Sequence, residues 1–304
     1  MSQAQAFGGI MTAPLQARCK VHINRGTAVI VRPGVGVQFN VLPHNAIVLP
    51  LPAHVSPGHV LTALAAARLP VPIDELTASL NYCGLGPDAA ADIVDELMRC
   101  CVLREYPEQH SVPVLKSGTA SDRQIAALRK EGISAHLVDS PATLVSQART
   151  SVALLPGNVF LPADLHYMLM QAGISHLPSA AIDGSVIIGP LVIPGVTPCL
   201  NCIDGHYGHQ DAQWNGIRMQ AAGRPVTADQ LHVEAASLMV ASIVARHLIP
   251  WQSRGCPPSE IPEILRHRTE IRLGDVHVSS TEITADPECM ACKMTKQLPR
   301  PRSA

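Results

Sequence analysis

At 304 residues the chain is long enough for two ordinary domains. Apolar residues make up 47% but aromatic residues only 3%, so any core must be built from Ala, Val, Leu and Ile. With 23 basic against 24 acidic residues the net charge is −1, which leaves no basic excess to attract a phosphate backbone and argues against nucleic-acid binding.

Residues 1–20 read as a loose leader without the apolar core of a signal peptide. Three short strands follow at Thr27–Arg32, Val35–Val41 and Ala46–Leu51, with turns at Pro33-Gly34 and Pro43-His44-Asn45. Ser56 is placed to cap a helix with Pro57 at its first position and Val60, Leu61, Leu64 and Leu69 as its apolar stripe. A helix over 72–80, a break at Gly84–Gly86, a helix over 87–98 and a strand over 102–105 have the order of a winged-helix module. In the later helix Ile93, Leu97 and Cys100 share a face, and Asp88, Asp92, Asp95 and Glu96 lie largely elsewhere. An acidic helix suits a DNA groove poorly, so the module reads as a peptide binder or as packing only. If a peptide adds as a strand, the groove lies between Ala46 to Leu49, with Ala46 and Val48 as contacts, and the helix carrying Asp92 and Glu96. The two acids would then favour a basic partner.

From Ser111 strands and helices alternate: strand 112–115, helix 122–130, strand 135–138, helix 141–148, strand 152–155, helix 162–171. This pattern predicts a mostly parallel sheet covered by helices, extended by strands at 175–178 and 185–188. Helices are expected over 211–222 and 229–247, and a hairpin over 269–281. The apolar stretches Val186–Val196 and Ala235–Ile249 are interrupted, so neither supplies the roughly 20 residues of a membrane span.

A nucleotide site on such a sheet would normally follow the first strand, in a glycine-rich turn. Here the turn is Lys116-Ser-Gly-Thr-Ala-Ser121, with Gly118 as its single glycine, and Asp139 ends the second strand where a ribose-binding carboxylate usually lies. Gly118 and Asp139 are therefore the candidate cofactor-binding residues of a site that looks eroded.

Two Cys-x-x-Cys pairs, Cys199/Cys202 and Cys289/Cys292, make a set of four soft ligands that suits Zn²⁺ and would pin the C-terminal region to the middle of the chain. His206 and His209 leave open a local site with Cys199 and Cys202. Cys256, beside Arg254, is the candidate nucleophile. The nine cysteines are an odd number, with Cys83, Cys100 and Cys101 in helical segments, unlike a secreted disulfide framework. A cytoplasmic location is expected.

The run Gly189-Pro-Leu-Val-Ile-Pro-Gly-Val-Thr-Pro-Cys-Leu-Asn-Cys-Ile-Asp204, with Pro287-Glu-Cys-Met-Ala-Cys292 after it, resembles the signature of the ThiF/MoeB-like superfamily, relatives of the ubiquitin-activating adenylyltransferases. The resemblance covers 111–304 and is closer to the ThiF-like leader-peptide-binding partners of YcaO cyclodehydratases and to degenerate actinobacterial ThiF-like proteins. Residues 1–110 resemble, more loosely, the peptide-recognition winged helix often fused to those partners.

The resemblance implies a Rossmann-like sheet, structural zinc at Cys199, Cys202, Cys289 and Cys292, a peptide or YcaO-like partner, and a homodimer. The family's glycine-rich loop, phosphate-binding Arg and Lys, and paired Mg²⁺-holding acids have no counterparts where the motif would put them. The expectation is thus a non-catalytic, zinc-stabilised scaffold that does not take ATP. The alternative is an active ATP-dependent adenylyltransferase with a non-standard nucleotide loop.

Overall fold

The computed structural model describes residues 19–106, 111–147, 151–222 and 229–296. The chain divides into two compact units, Met1–Glu108 and Gln109–Ala304. Most of the expected leader lies outside the described residues, as does Ala148.

In the first unit β1 (Lys20–Ile23) was not foreseen; it is a four-residue run that starts at the last residue of the supposed leader. The meander β2 (Val29–Arg32), β3 (Gly36–Phe39) and β4 (Ile47–Pro50) is antiparallel, with Val37 opposite both Val31 and Leu49, and leaves β4 as an edge. Three helices follow: α1 (Pro57–Ala66), α2 (Ile73–Leu80) and α3 (Pro87–Arg99). Short strands β5 (Val71–Pro72) and β6 (Leu103–Glu105) flank β1 in a second sheet.

Two details differ from expectation. Ser56 occupies the N-cap of α1 but makes no side-chain cap bond, and Leu69 lies beyond the helix end and is exposed. On α3 the buried stripe is Ala90, Val94 and Leu97, at i, i+4, i+7, so Ile93 and Cys100 sit at its margin. The core joins Val21, Val37, Phe39, Leu64, Leu80 and Leu103.

The second unit begins as the alternation predicts: β7 (Val112–Leu115), α4 (Thr119–Lys130), β8 (Ala135–Val138), α5 (Pro141–Gln147), β9 (Ala153–Pro156), α6 (Ala163–Gln171), β10 (His176–Ile182). Strands β8, β7, β9 and β10 lie in that spatial order and are parallel. Every residue of β7 and β9 is buried because helices cover both faces. The neighbours Leu154 and Leu155 accordingly enter opposite cores, one with Ile125, Val240 and Trp251, the other with Leu144, Leu169 and Ile203.

The sheet is not mostly parallel. Asp183 and Gly184, both left-handed, turn the chain back into β11 (Ser185–Ile188), and β12 (His267–Arg272) and β13 (His277–Glu282) extend it antiparallel. Among the described residues, half of this seven-stranded sheet's neighbouring pairs are antiparallel, since hairpins replace crossovers here.

The chain between β11 and β12 carries α7 (Leu200–Gln210), α8 (Trp214–Ala221) and α9 (Gln230–Ile243), then short turns α10 (Ile249–Ser253) and α11 (Glu263–Arg266); α12 (Met290–Lys296) follows β13. Helix α7 was not expected, because Gly205 and Gly208 lower its intrinsic propensity. The helical run Gln230–Ser253, 24 residues, continues through Arg246 and His247 and is long and apolar enough by composition to cross a membrane, contrary to the sequence reading. Here α9 packs against α4, β10 and β11, burying Ala236, Val240 and Ala241.

Gly189 is needed where it stands. Its φ of +74° is left-handed, and a Cβ there would lie 2.9 Å from the His267 carbonyl oxygen.

Candidate metal centre and ligand cavity

Cys199 is the N-cap residue of α7 and Cys202 lies in its first turn, so their spacing puts both thiols on one side. Cys289 immediately precedes α12 and Cys292 lies in its first turn. The four Sγ atoms all lie within 4.8 Å of one another, and all four residues are buried.

The separations are 3.9 Å for Cys199–Cys202, 3.5 Å for Cys199–Cys289 and 3.6 Å for Cys202–Cys292. A tetrahedron of sulfurs about 2.3 Å from a central Zn²⁺ has edges of about 3.8 Å, so the cage fits that ion. Hydrogen bonds from Cys199 and Cys292, and from the Asp286 backbone N–H at 3.4 Å, hold the Cys202 thiol well below its ordinary range. Donating to Cys202 keeps Cys199 protonated, pushed far up. Four buried sulfurs cannot all ionise together without a cation, so the metal-free cage carries protons that a metal would displace. No ligand position is left for a substrate, which is the form of a structural site.

The local alternative is not what the fold assembles. His206 bonds Gln210, and His209 is exposed.

A cavity of about 550 Å³ opens where the turn after β7 and the loop after β9 face each other. Strand β8 follows β7 on one side and β9 lies on its other side, so the strand order reverses between β7 and β9. That is the topological switch point, the crevice at which open α/β sheets bind ligands.

The wall includes Lys116 to Ala120, Gly157 to Phe160 and, from β10 and α9, Ser179 and Ser237. Gly118, with a φ of +59°, caps α4, whose first N–H groups and positive dipole end favour an anion. Ser117 ties the two loops together by donating to the Pro156 carbonyl, and its own N–H donates to Ser121 Oγ at 3.1 Å. Among the described residues Lys116 is the charged member of the lining, and no carboxylate lines it.

Gly118 lines the cavity. Asp139 does not; its carboxylate instead accepts from Lys116 Nζ at 3.0 Å. Asn158, near the start of the loop after β9, donates from Nδ2 to the Pro156 carbonyl at 2.8 Å.

Cys256 is half-buried at a left-handed φ of +56°, outside the cavity lining. Burial pushes its thiol up, and Arg254 is engaged with Glu260 at 3.5 Å. A reactive thiolate would need the opposite shift.

In the first unit a second cavity, of about 350 Å³, lies between β4 and α3. Val48, Asp92 and Glu96 line it together with Ile47, Leu49 and Ile93. Ala46 precedes the strand and is not part of the lining. Glu96 also pairs with Arg99.

The sequence reading missed the pair Asp204 and Arg218. Arg218 Nε lies 2.9 Å from Asp204 Oδ2, both largely shielded from solvent. Asp204 ends the cysteine signature, but nothing in the sequence marks its partner.

No family model matches the chain, and no curated protein matches it. Among solved structures the chain is similar to a heterocyclase in complex with substrate and cofactor, with a TM-score of 0.60, 14% identity, and coverage of 90% of this chain and 39% of that one. It is also similar to the heterocyclase TruD, with a TM-score of 0.54, 12% identity and coverage of 90% and 43%. The chain thus spans about two-fifths of the length of these heterocyclases. E. coli MccB with ATP matches with a TM-score of 0.48 and 11% identity over 90% of this chain and 99% of MccB. The fold is similar to the matched part of the two heterocyclases.

Two sequence expectations need correction: that the protein is a non-catalytic scaffold, and that it does not take ATP. Neither expectation fits this chain, where an open cavity with Lys116 and the N-terminus of α4 on its wall stands at the switch point. The cavity is lined by Ser117, Thr119, Ser179, Ser237, Gln124 and Asn158 rather than by a run of glycines or paired charges, and scattered small polar residues leave little trace in sequence.

Proposed function

We propose that the chain binds ATP in the switch-point cavity and uses it to adenylate a peptide or protein partner. The observation that supports this reading is the cavity between the β7 and β9 loops, with Lys116 and the N-terminus of α4 on its wall. In adenylation a carboxylate oxygen attacks the α-phosphorus and pyrophosphate leaves. Negative charge then builds on oxygens that need donors already in place. The N–H groups of the first turn of α4 supply such donors, and Lys116 adds a cation once it releases Asp139. The hydroxyls of Ser117 and Thr119 add polar contacts beside them.

The partner's binding place in this proposal is the β4–α3 groove of the first unit, read as a winged-helix-like peptide module. An extended peptide adds to the free edge of β4, its apolar side chains on Ile47, Leu49 and Ile93 and its basic ones toward Asp92 and Glu96. The cysteine cage holds zinc with a structural role. A YcaO-like partner enzyme, a homodimer and a cytoplasmic location complete the reading.

Calorimetry with ATP, followed by pyrophosphate exchange in the presence of a basic peptide, tests it. Nucleotide binding and peptide-dependent exchange are expected. No heat of binding at millimolar ATP would remove the proposal.

A further inference from the structure

The cysteine cage and the cavity are joined by a continuous set of side-chain contacts. Helix α7 starts at Cys199, carries Cys202 in its first turn and Asp204 two residues later. Asp204 accepts from Arg218 Nε at 3.1 and 2.9 Å and from Trp214 Nε1 at 3.2 Å. Arg218 Nη2 donates to the Leu161 carbonyl at 2.6 Å, and its guanidinium lies 5.5 Å from the centre of the Phe160 ring. Trp214 meets that ring edge-on with centroids 5.7 Å apart. Phe160 and the residues before it form a wall of the cavity, and Ala221, at the end of α8, forms another part.

We propose that Asp204 and Arg218 are positioning residues through which the metal-loaded cage, by way of Leu161, sets the cavity wall at 157–160. Their relevance to nucleotide affinity rests on the ATP reading above. The physical basis is that the start of the loop after β9 is held by Ser117 and Asn158 on the Pro156 carbonyl and by the Asn158 N–H on the Ser179 carbonyl, whereas its far end is held by Arg218 on the Leu161 carbonyl. Arg218 can hold that carbonyl in one place only while Asp204 holds Arg218. A charge-assisted contact of this kind is stronger than a neutral one and is directional. Asp204 in turn rides on the first turns of α7, which the four sulfurs anchor. Releasing the metal frees the start of α7, shifts the carboxylate and lets the wall move.

The test uses the full chain as wild type, Arg218→Ala, Arg218→Lys and Asp204→Asn. Zinc content, hydrogen exchange of amides 158–161 and ATP affinity are measured before and after chelation. Strand amides of β7 and β9 serve as the internal reference.

In Arg218→Ala, zinc content is expected to match wild type while exchange at 158–161 rises and ATP binds about tenfold more weakly, as loss of one charged hydrogen bond implies. Chelation of wild type should raise exchange at the same amides, and chelation of Arg218→Ala should add little. Arg218→Lys, keeping charge but not the fork, should fall between. Asp204→Asn serves if Arg218→Ala does not fold.

Unchanged exchange at 158–161 after chelation, or in the variants, overturns the proposal. So does chelation that deprotects the reference strands equally, since that is global unfolding. If wild type binds no ATP yet exchange responds as described, the nucleotide reading fails and the coupling stands.

Discussion

Replacing Cys289 and Cys292 together by serine should detach the C-terminal region from α7. The pairs Cys199–Cys289 and Cys202–Cys292 each span 90 positions. A metal bridging them acts as a cross-link that removes loop freedom from the unfolded chain. On the chain-entropy account a closed loop of this length is worth about 4–5 kcal/mol. Within a unit of this size 1 kcal/mol corresponds to roughly 2–4 °C, so the unfolding midpoint should fall by about 10–20 °C. The assay pairs elemental analysis with thermal unfolding in the presence of zinc. The double variant should lose its zinc and its zinc-dependent stability together. Full zinc retention in the variant, or a midpoint within a few degrees of wild type, would refute the four-sulfur cage and return the site to Cys199, Cys202 and the nearby histidines.

Three further outcomes follow from the geometry. Gly189→Ala places a Cβ 2.9 Å from the His267 carbonyl at a left-handed φ; a loss of about 1–3 kcal/mol in urea unfolding is expected, and a neutral result would contradict the close approach. His176 is fully buried, donates from Nδ1 to the Ile174 carbonyl at 2.8 Å and has no partner at Nε2. Burial lowers its pKa from 6.5 to about 4. Between those values the unfolded chain binds the extra proton, so stability should fall by roughly 3 kcal/mol as pH drops from 6.5 to 4. His176→Gln should flatten that part of the pH–stability curve, and an unaltered slope would assign the acid sensitivity elsewhere. Reversing the groove charge with Asp92→Lys and Glu96→Lys should weaken a basic peptide about tenfold, mostly through slower association at low salt. Equal affinity in fluorescence anisotropy would exclude the β4–α3 groove as its site.

The residues alone determined the alternation of strands and helices after Ser111, because buried parallel strands are short apolar runs that helices must separate. They also picked out the four cysteines that the fold gathers into one cage, since two Cys-x-x-Cys pairs are local and chemically distinctive. Edge strand β4 and the acidic helix α3 were legible for the same reason: Asp92 and Glu96 announce themselves by charge.

What the sequence could not show depends on which distant segments become neighbours. Helix α7 keeps its glycines in regular geometry because the sulfurs at its start and the sheet beneath it outweigh a weak propensity. Asp204 and Arg218 are ordinary surface-type residues until the fold shields them from water together. The cavity lies where β9 crosses to the far side of β7, and its wall brings Lys116 and Ser117 together with Asn158, Ser179 and Ser237, which lie far apart in sequence and meet only in the packed sheet.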